Sequence, residues 1–218
     1  MPRTRFPVKD VHSMKDLLTR LGDIPLERIR MNPLPGTATE RDLLRVVERE
    51  NIPCELIDGT LVEKPMGAKE GFLAAELIRL LGNFVTDRDL GVVFAPDSTL
   101  RIYSGQVRLP DVCFVSWDRL PGKMVPAEPI PDLVPEFTIE VLSPSNTRSE
   151  MLRKRKEFFL TGTQLFWIVD PNIRTLTAYS APDVFETFTE PASVTGRPVL
   201  PEFEVSLTSL FARLPKAQ

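Results

Sequence analysis

Two short apolar runs, residues 137–142 (Phe-Thr-Ile-Glu-Val-Leu) and 165–170 (Leu-Phe-Trp-Ile-Val-Asp), bracket a helical segment at 147–160. Gly162 follows it, where a left-handed residue stops a helix. Continuous apolar runs of this length read as strands buried on both faces, and a helical connection lets neighbouring strands run parallel. The unit predicts a right-handed parallel crossover in a mixed sheet with helices packed on it. The chain is thereby committed to an α/β architecture.

The rest of the punctuation fits that frame. Residues 54–63 hold two apolar runs around Asp58-Gly59, the dipeptide that accepts the positive φ angles of a two-residue turn, so this stretch predicts a β-hairpin. Thr39 caps a helix over 40–50, and Leu73, Leu77, Leu80, Leu81 and Phe84 have helical spacing within 69–86. Short strands follow at 92–95 and 99–102, with a further pair around Gly105. Residues 106–116 read as strand interrupted by Pro110-Asp111, and 117–135, with five prolines, reads as a long surface loop. Residues 175–179 form one more strand. Three regions are expected: a proline-rich extension over 1–38 with one short helix capped by Ser13, a main domain over 39–180, and a tail over 181–218 with an edge strand and a short helix packing on that domain.

Composition limits the chemistry. Lys and Arg number 27 against 30 Asp and Glu, a net charge of −3, so any hold on a polyanion has to be local or metal-assisted. No apolar run approaches the roughly 20 residues that span a bilayer. The amino end lacks the apolar core and cleavage site of a secretory signal, and a soluble protein in the cytoplasm with no membrane partner is expected. The two cysteines, Cys54 and Cys113, cannot build a zinc site and read as buried free thiols. The single histidine, His12, lies in the extension as a surface residue, which argues against Ser-His-Asp or Cys-His catalysis.

Glu140 is the one acidic residue inside the first buried run, and a carboxylate there needs a partner. Strand alternation puts Phe137, Ile139 and Val141 on one face and Thr138, Glu140 and Leu142 on the other. Asp111 is a second strand carboxylate: of four Pro-Asp pairs, only the one at 110/111 runs straight into a long apolar strand. Two hard oxygen donors with no histidine nearby suit Mg²⁺ rather than zinc or copper. On the following helix, Met151, Leu152, Phe158 and Phe159 define the core side at 100° per residue, which leaves Lys154 and Arg155 able to bend back to the sheet, and Arg153 and Lys156 on a solvated face. Glu70, one helical period before Leu73, sits at the edge of a buried face and could complete a carboxylate cluster. Glu55 and Glu63, flanking the hairpin, are weaker candidates because acidic residues there are most often exposed.

These residues resemble a known family. Glu-Leu-Ile-Asp-Gly at 55–59, Leu-Val-Glu at 61–63, Pro-Asp-Val at 110–112, Ile-Glu-Val-Leu-Ser-Pro-Ser at 139–145, Lys154, Gly162 and Phe-Trp-Ile-Val-Asp at 166–170 are similar, in order, to the Uma-type endonuclease-like proteins of the PD-(D/E)XK restriction-endonuclease-like superfamily. The resemblance covers about 52–180. It implies a restriction-endonuclease-like core, a four-stranded mixed sheet flanked by helices, with the hairpin and the helical amino-terminal extension added to it. It further implies metal-dependent phosphodiester hydrolysis, with Mg²⁺ (Mn²⁺ as a substitute) on Asp111 and Glu140. The superfamily's lysine two residues after the Glu is Leu142 here, and Lys154 on the next helix takes its place. Where the branch commonly has a histidine near the start of its first core helix, this chain has Glu70.

The implied substrate is nucleic acid, DNA before RNA, and a homodimer would supply the two sites that cutting both strands needs. Two other readings remain open. One is a catalytically degenerate binding module on a nuclease scaffold, consistent with Leu142 and the lack of a basic surface. The other is a structural domain in which Glu140 and Lys154 are only a buried ion pair.

Overall fold

A computed structural model describes residues 11–65 and 67–215. In chain order the elements are α1 (Met14–Leu21), α2 (Glu40–Glu50), β1 (Cys54–Ile57), β2 (Thr60–Glu63), α3 (Ala68–Asp87), β3 (Gly91–Phe94), β4 (Leu100–Tyr103), β5 (Gln106–Arg108) and β6 (Val112–Ser116). They continue with β7 (Phe137–Val141), α4 (Arg148–Thr161), β8 (Leu165–Asp170), β9 (Thr175–Ala181), β10 (Val184–Thr189), β11 (Ser193–Gly196), β12 (Leu200–Ser206) and α5 (Leu207–Phe211).

The central sheet has six strands in the order β10-β9-β8-β7-β6-β3, with β7 and β8 parallel and the other pairs antiparallel. The parallel pair is the strand–helix–strand unit read from the sequence, and α4 stops at Gly162 as expected. Thr147 and Glu150 form a reciprocal capping box, and Gly162 takes φ 116° behind the last turn. The fold is mixed α/β and restriction-endonuclease-like.

The implied four-stranded core differs in two ways from what is found. First, the central sheet is wider, with β10 from the tail as the expected edge strand and β3 at the other edge, and the tail also forms a separate β11–β12 hairpin followed by α5. Second, the hairpin at 54–63 is not a free addition. Its turn has the expected positive φ at Asp58 (49°) and Gly59 (72°), but β1 also pairs with β5 to give a second sheet, β2-β1-β5-β4. Gly59 is needed there for space too, since a Cβ would fall 2.6 Å from the Gly36 carbonyl oxygen. Pro110-Asp111 is the point where the chain leaves one sheet for the other.

The two faces of the central sheet bury different things. Phe137, Ile139, Val141, Trp167 and Val169 point to one face, covered by Leu73, Leu77 and Leu81 of α3 and by Phe203, Val205 and Phe211 from the carboxyl end. There Phe137 meets Trp167 edge to face at 4.8 Å, and Phe203 stacks on Trp167. The opposite face carries α4, with Phe158 against Phe166 and Ile102. The segment at 117–135, read as surface loop, is partly core: Leu120, Ile130 and Leu133 are buried.

Candidate functional site

The alternation that sends Phe137, Ile139 and Val141 into the apolar core sends Glu140 the other way, toward α4 and the second sheet. Val112 pairs with Ile139 across β6 and β7, and one more step of that register brings Asp111 opposite Glu140. Both carboxylates are buried, each 3% exposed. Asp111 Oδ2 accepts a hydrogen bond from the Val141 amide at 2.7 Å, which fixes it at the strand end.

Two ammonium groups meet this pair. Lys64, just past β2, places Nζ 2.8 Å from Asp111 Oδ1 and 3.8 Å from Glu140 Oε2, and also donates to the Leu109 carbonyl. Lys154, in the middle of α4, places Nζ 2.7 Å from Glu140 Oε1 and 2.9 Å from Glu55 Oε1. The Lys154–Glu140 approach is close but not aligned for hydrogen bonding, so Glu140 Oε1 has a charge partner and no hydrogen-bond donor. Glu55 accepts the Leu109 amide at 3.0 Å and pairs with Arg108 at 2.7 Å. Beyond it, Arg108 pairs with Glu157, Glu157 with Arg153, and Arg153 and Arg20 with Asp58. Opposite charges therefore alternate without a break from Asp111 to α1.

Burial and neighbours pull these groups in different directions. Burial raises Glu140, the two lysines oppose it only in part, and Asp111 and Glu55 add repulsion, so its carboxyl is pushed up from 4.5 to about 7. Burial pushes Glu55 the same way, but Lys154 and Arg108 outweigh it and hold that carboxyl well below the usual carboxylate range. For Lys64, burial disfavours the charge, yet Asp111, Glu140 and Glu55 outweigh it and raise it above an ordinary lysine. The Cys113 thiol is pushed up by burial first and by Glu140 second, which leaves it inert, and Cys54 is likewise a buried free thiol.

Asp111, Glu140, Lys154 and Glu70 all line one small cavity, together with Arg28, Glu55, Lys64, Asn146 and Glu150. Its free volume, about 10 Å³, is roughly one water's worth. Glu70 enters from the first turn of α3, where a Cβ at residue 67 would lie 2.3 Å from its Oε2, so Gly67 gives the carboxylate room. Arg28 closes the opposite side through a two-pronged pair with Glu150 at 2.7 and 3.0 Å.

Several expectations change. Glu55, a weaker candidate, is a central partner, whereas Glu63 turns away to Arg30 at 2.8 Å. Arg153 is not solvated but paired with Asp58 and Glu157, and Leu152 is exposed rather than core. Arg155 packs on the sheet away from the cavity, its guanidinium 3.9 Å from the Tyr179 ring centre. Lys64, Arg108, Arg28 and Glu150 went unread. For Arg108 a signal was present: Gln106 and Arg108 are two polar residues on one face of a short strand.

Among the described residues no cluster of three or more His, Cys, Asp or Glu side chains is arranged to hold a metal ion. The donor set nevertheless fits Mg²⁺, which commonly takes only one or two carboxylates and keeps its waters. Asp111 and Glu140 already flank one cation, the Lys64 ammonium, and Glu140 Oε1 lacks a hydrogen-bond donor. Among the described residues no helix is long and apolar enough to cross a membrane.

Comparison with known proteins agrees with this architecture. No curated protein matches the chain. A solved structure described as a putative nuclease belonging to DUF820, from Anabaena variabilis, superposes with a TM-score of 0.65 at 25% identity, covering 73% of this chain and 89% of that one. The family model for Uma2, described as a putative restriction endonuclease, matches residues 41–208. Both descriptions support a nuclease function in general terms. The matched stretch spans most of the chain and contains Glu55, Asp111, Glu140 and Lys154, and on that match the chain belongs to the Uma2 family.

Proposed function

We propose that this protein is a Mg²⁺-dependent endonuclease that hydrolyses phosphodiester bonds in DNA, with Asp111 and Glu140 as the metal-holding carboxylates. The observation that carries this reading is the meeting of these two buried carboxylates, one in β7 and the other just before β6, on a single cation in a polar cavity. A divalent cation bound there supplies Lewis-acid polarisation of the phosphoryl oxygen and acidifies a water at neutral pH. The protein's own groups do the rest. The Val141 amide holds Asp111 in place, and Lys154, braced by Glu55, fixes Glu140 and offers positive charge beside the reacting phosphate. Glu70 approaches from α3 as a further acceptor for a water in the cavity. Arg28, tied to Glu150, adds a cation at the cavity wall where a phosphate oxygen would enter. Mn²⁺ should substitute for Mg²⁺. A homodimer would cut both strands, and a cytoplasmic location completes the reading.

The test is cleavage of supercoiled plasmid, linear duplex, single-stranded DNA and structured RNA by wild type, Asp111→Asn, Glu140→Gln and Lys154→Ala, with Mg²⁺, Mn²⁺ or EDTA. The expected result is metal-dependent cutting of DNA that falls on the order of 10²-fold or more in each folded variant. Full activity in both carboxylate variants sinks the assignment.

One observation favours a second reading, a non-catalytic binding module: every carboxylate of the central trio already has an ammonium or guanidinium partner, so the charge is balanced within the protein. This reading expects no thermal shift with millimolar Mg²⁺ or Mn²⁺ and no cutting of any substrate.

A further inference from the structure

Lys64 is the part of the cavity for which hydrolysis has no evident use. Its ammonium lies among three oxygens: Asp111 Oδ1 at 2.8 Å, Glu140 Oε2 at 3.8 Å and the Leu109 carbonyl. Two carboxylates and a backbone carbonyl are the donor set of a hard cation, here engaged by an organic one. The two lysines differ in their freedom to leave. Lys154 is anchored in the middle of a fourteen-residue helix, and its side chain is 3% exposed between Glu55 and Glu140. Lys64 follows the last residue of β2, lies outside any helix or strand, and has a side chain 12% exposed. With Lys64 in place the cavity has room for about one water, far too little for a cation with its hydration shell.

We propose that Lys64 is a built-in counter-ion that occupies the cation position between Asp111 and Glu140 and swings out when a divalent ion binds. This rests on the reading of Asp111 and Glu140 as metal-holding residues and adds a device that controls loading. Binding is then an exchange of one cation for another: Lys64 keeps the carboxylate pair stable while no metal is bound and lowers the apparent metal affinity by competing for the same oxygens. The site would load only where divalent ion is plentiful, or where an incoming phosphate offers the released ammonium a new partner.

The experiment is Mn²⁺ titration calorimetry on wild type, Lys64→Met and Asp111→Asn, with amine acetylation of wild type followed by peptide mass spectrometry. Removing a like charge from the position should tighten Mn²⁺ binding by about tenfold or more in Lys64→Met. Asp111→Asn should lose binding, and Lys64 acetylation in wild type should rise severalfold at saturating Mn²⁺ as the ammonium reaches solvent. Binding detected only in Lys64→Met supports the proposal in its strongest form. Equal affinity in wild type and Lys64→Met, with binding lost in Asp111→Asn, overturns the counter-ion role and leaves the metal reading standing. No binding in any protein, or binding that survives Asp111→Asn, overturns both. If Lys64→Met does not fold, the acetylation rate of wild type decides: no change at saturating Mn²⁺ overturns the proposal.

Discussion

The two faces of the central sheet use the same strands for opposite ends. On one, Phe137, Ile139, Val141 and Trp167 pack dry against α3 and the carboxyl-terminal elements. On the other, one residue out of phase, Glu140 opens a chain of alternating charges that runs through Lys154, Glu55, Arg108 and Glu157. Neither face is exposed, so the contrast is not between core and surface. It is between burial that stabilises through transfer of apolar area and burial that must be compensated ion by ion. A protein that needs ionised carboxylates near a phosphate has reason to keep the second kind, and the first kind supplies the stability that offsets it.

Substitutions on each face should separate the two. Trp167→Ala is expected to be the most damaging, about 3–5 kcal/mol by urea unfolding, because it empties the site against which both Phe137 and Phe203 pack. A loss below 1 kcal/mol would mean the apolar face is less tightly packed than its contacts indicate.

Arg108→Met should also cost about 3–5 kcal/mol, by leaving Glu55 and Glu157 buried with one cation fewer. The faces diverge at the next step. Adding Glu157→Leu to Arg108→Met should recover a good part of that loss, since Glu55 keeps Lys154 and the Leu109 amide, and Arg153 keeps Asp58. Unfolding of the double variant at or below the single variant's denaturant midpoint would show that the charges are not exchangeable for apolar volume.

Acidity sharpens the contrast within the charged face. Glu140 is raised from 4.5 to about 7, so the folded protein binds its proton more readily than the unfolded chain does. Its contribution to stability is therefore greatest below about 4.5 and declines as pH rises from there to about 7. Glu55, held low, works in reverse: its contribution is present above the unfolded value of 4.5 and is lost as pH falls below it. Chemical unfolding across pH 4 to 8 should show the decline between about 4.5 and 7 in wild type and not in Glu140→Gln.

The smallest effect is expected at Gly67, where Ala puts a Cβ against the Glu70 carboxylate. The side chain can swing aside, so stability should drop by no more than about 1 kcal/mol. A changed Mn²⁺ affinity or cleavage rate in this variant would report directly on Glu70, and unchanged values would remove Glu70 from the working site.

Local signals carried a large share of the structure. The strand–helix–strand unit, the Asp58-Gly59 turn, the cap at Thr39 and the stop at Gly162 each depend on residues a few positions apart. Period-two alternation was enough to separate Glu140 from the apolar side of its own strand, and helical periodicity was enough to turn Lys154 toward the sheet. Counting by period failed where partners were remote. Arg153 belongs to the solvated side of α4 by angle alone, yet Asp58, 95 residues away in sequence, draws it into the charge chain. By local pattern Glu55 is an exposed hairpin acid, because hairpins are commonly half solvated, whereas pairing of β1 with β5 covers it.

What the sequence alone determined is the order of the elements up to β9, and the two carboxylates that stand among apolar strand residues, because backbone propensity and side-chain alternation act over a few residues. Only the tertiary structure decided how those carboxylates are compensated. The choice of Lys64 for Asp111, and of Lys154 to bridge Glu55 and Glu140, depends on which long side chains reach one cavity from β2, β1, β7 and α4. That is a matter of distance in space and of the cost of burying charge, and neither is written in the spacing of residues along the chain.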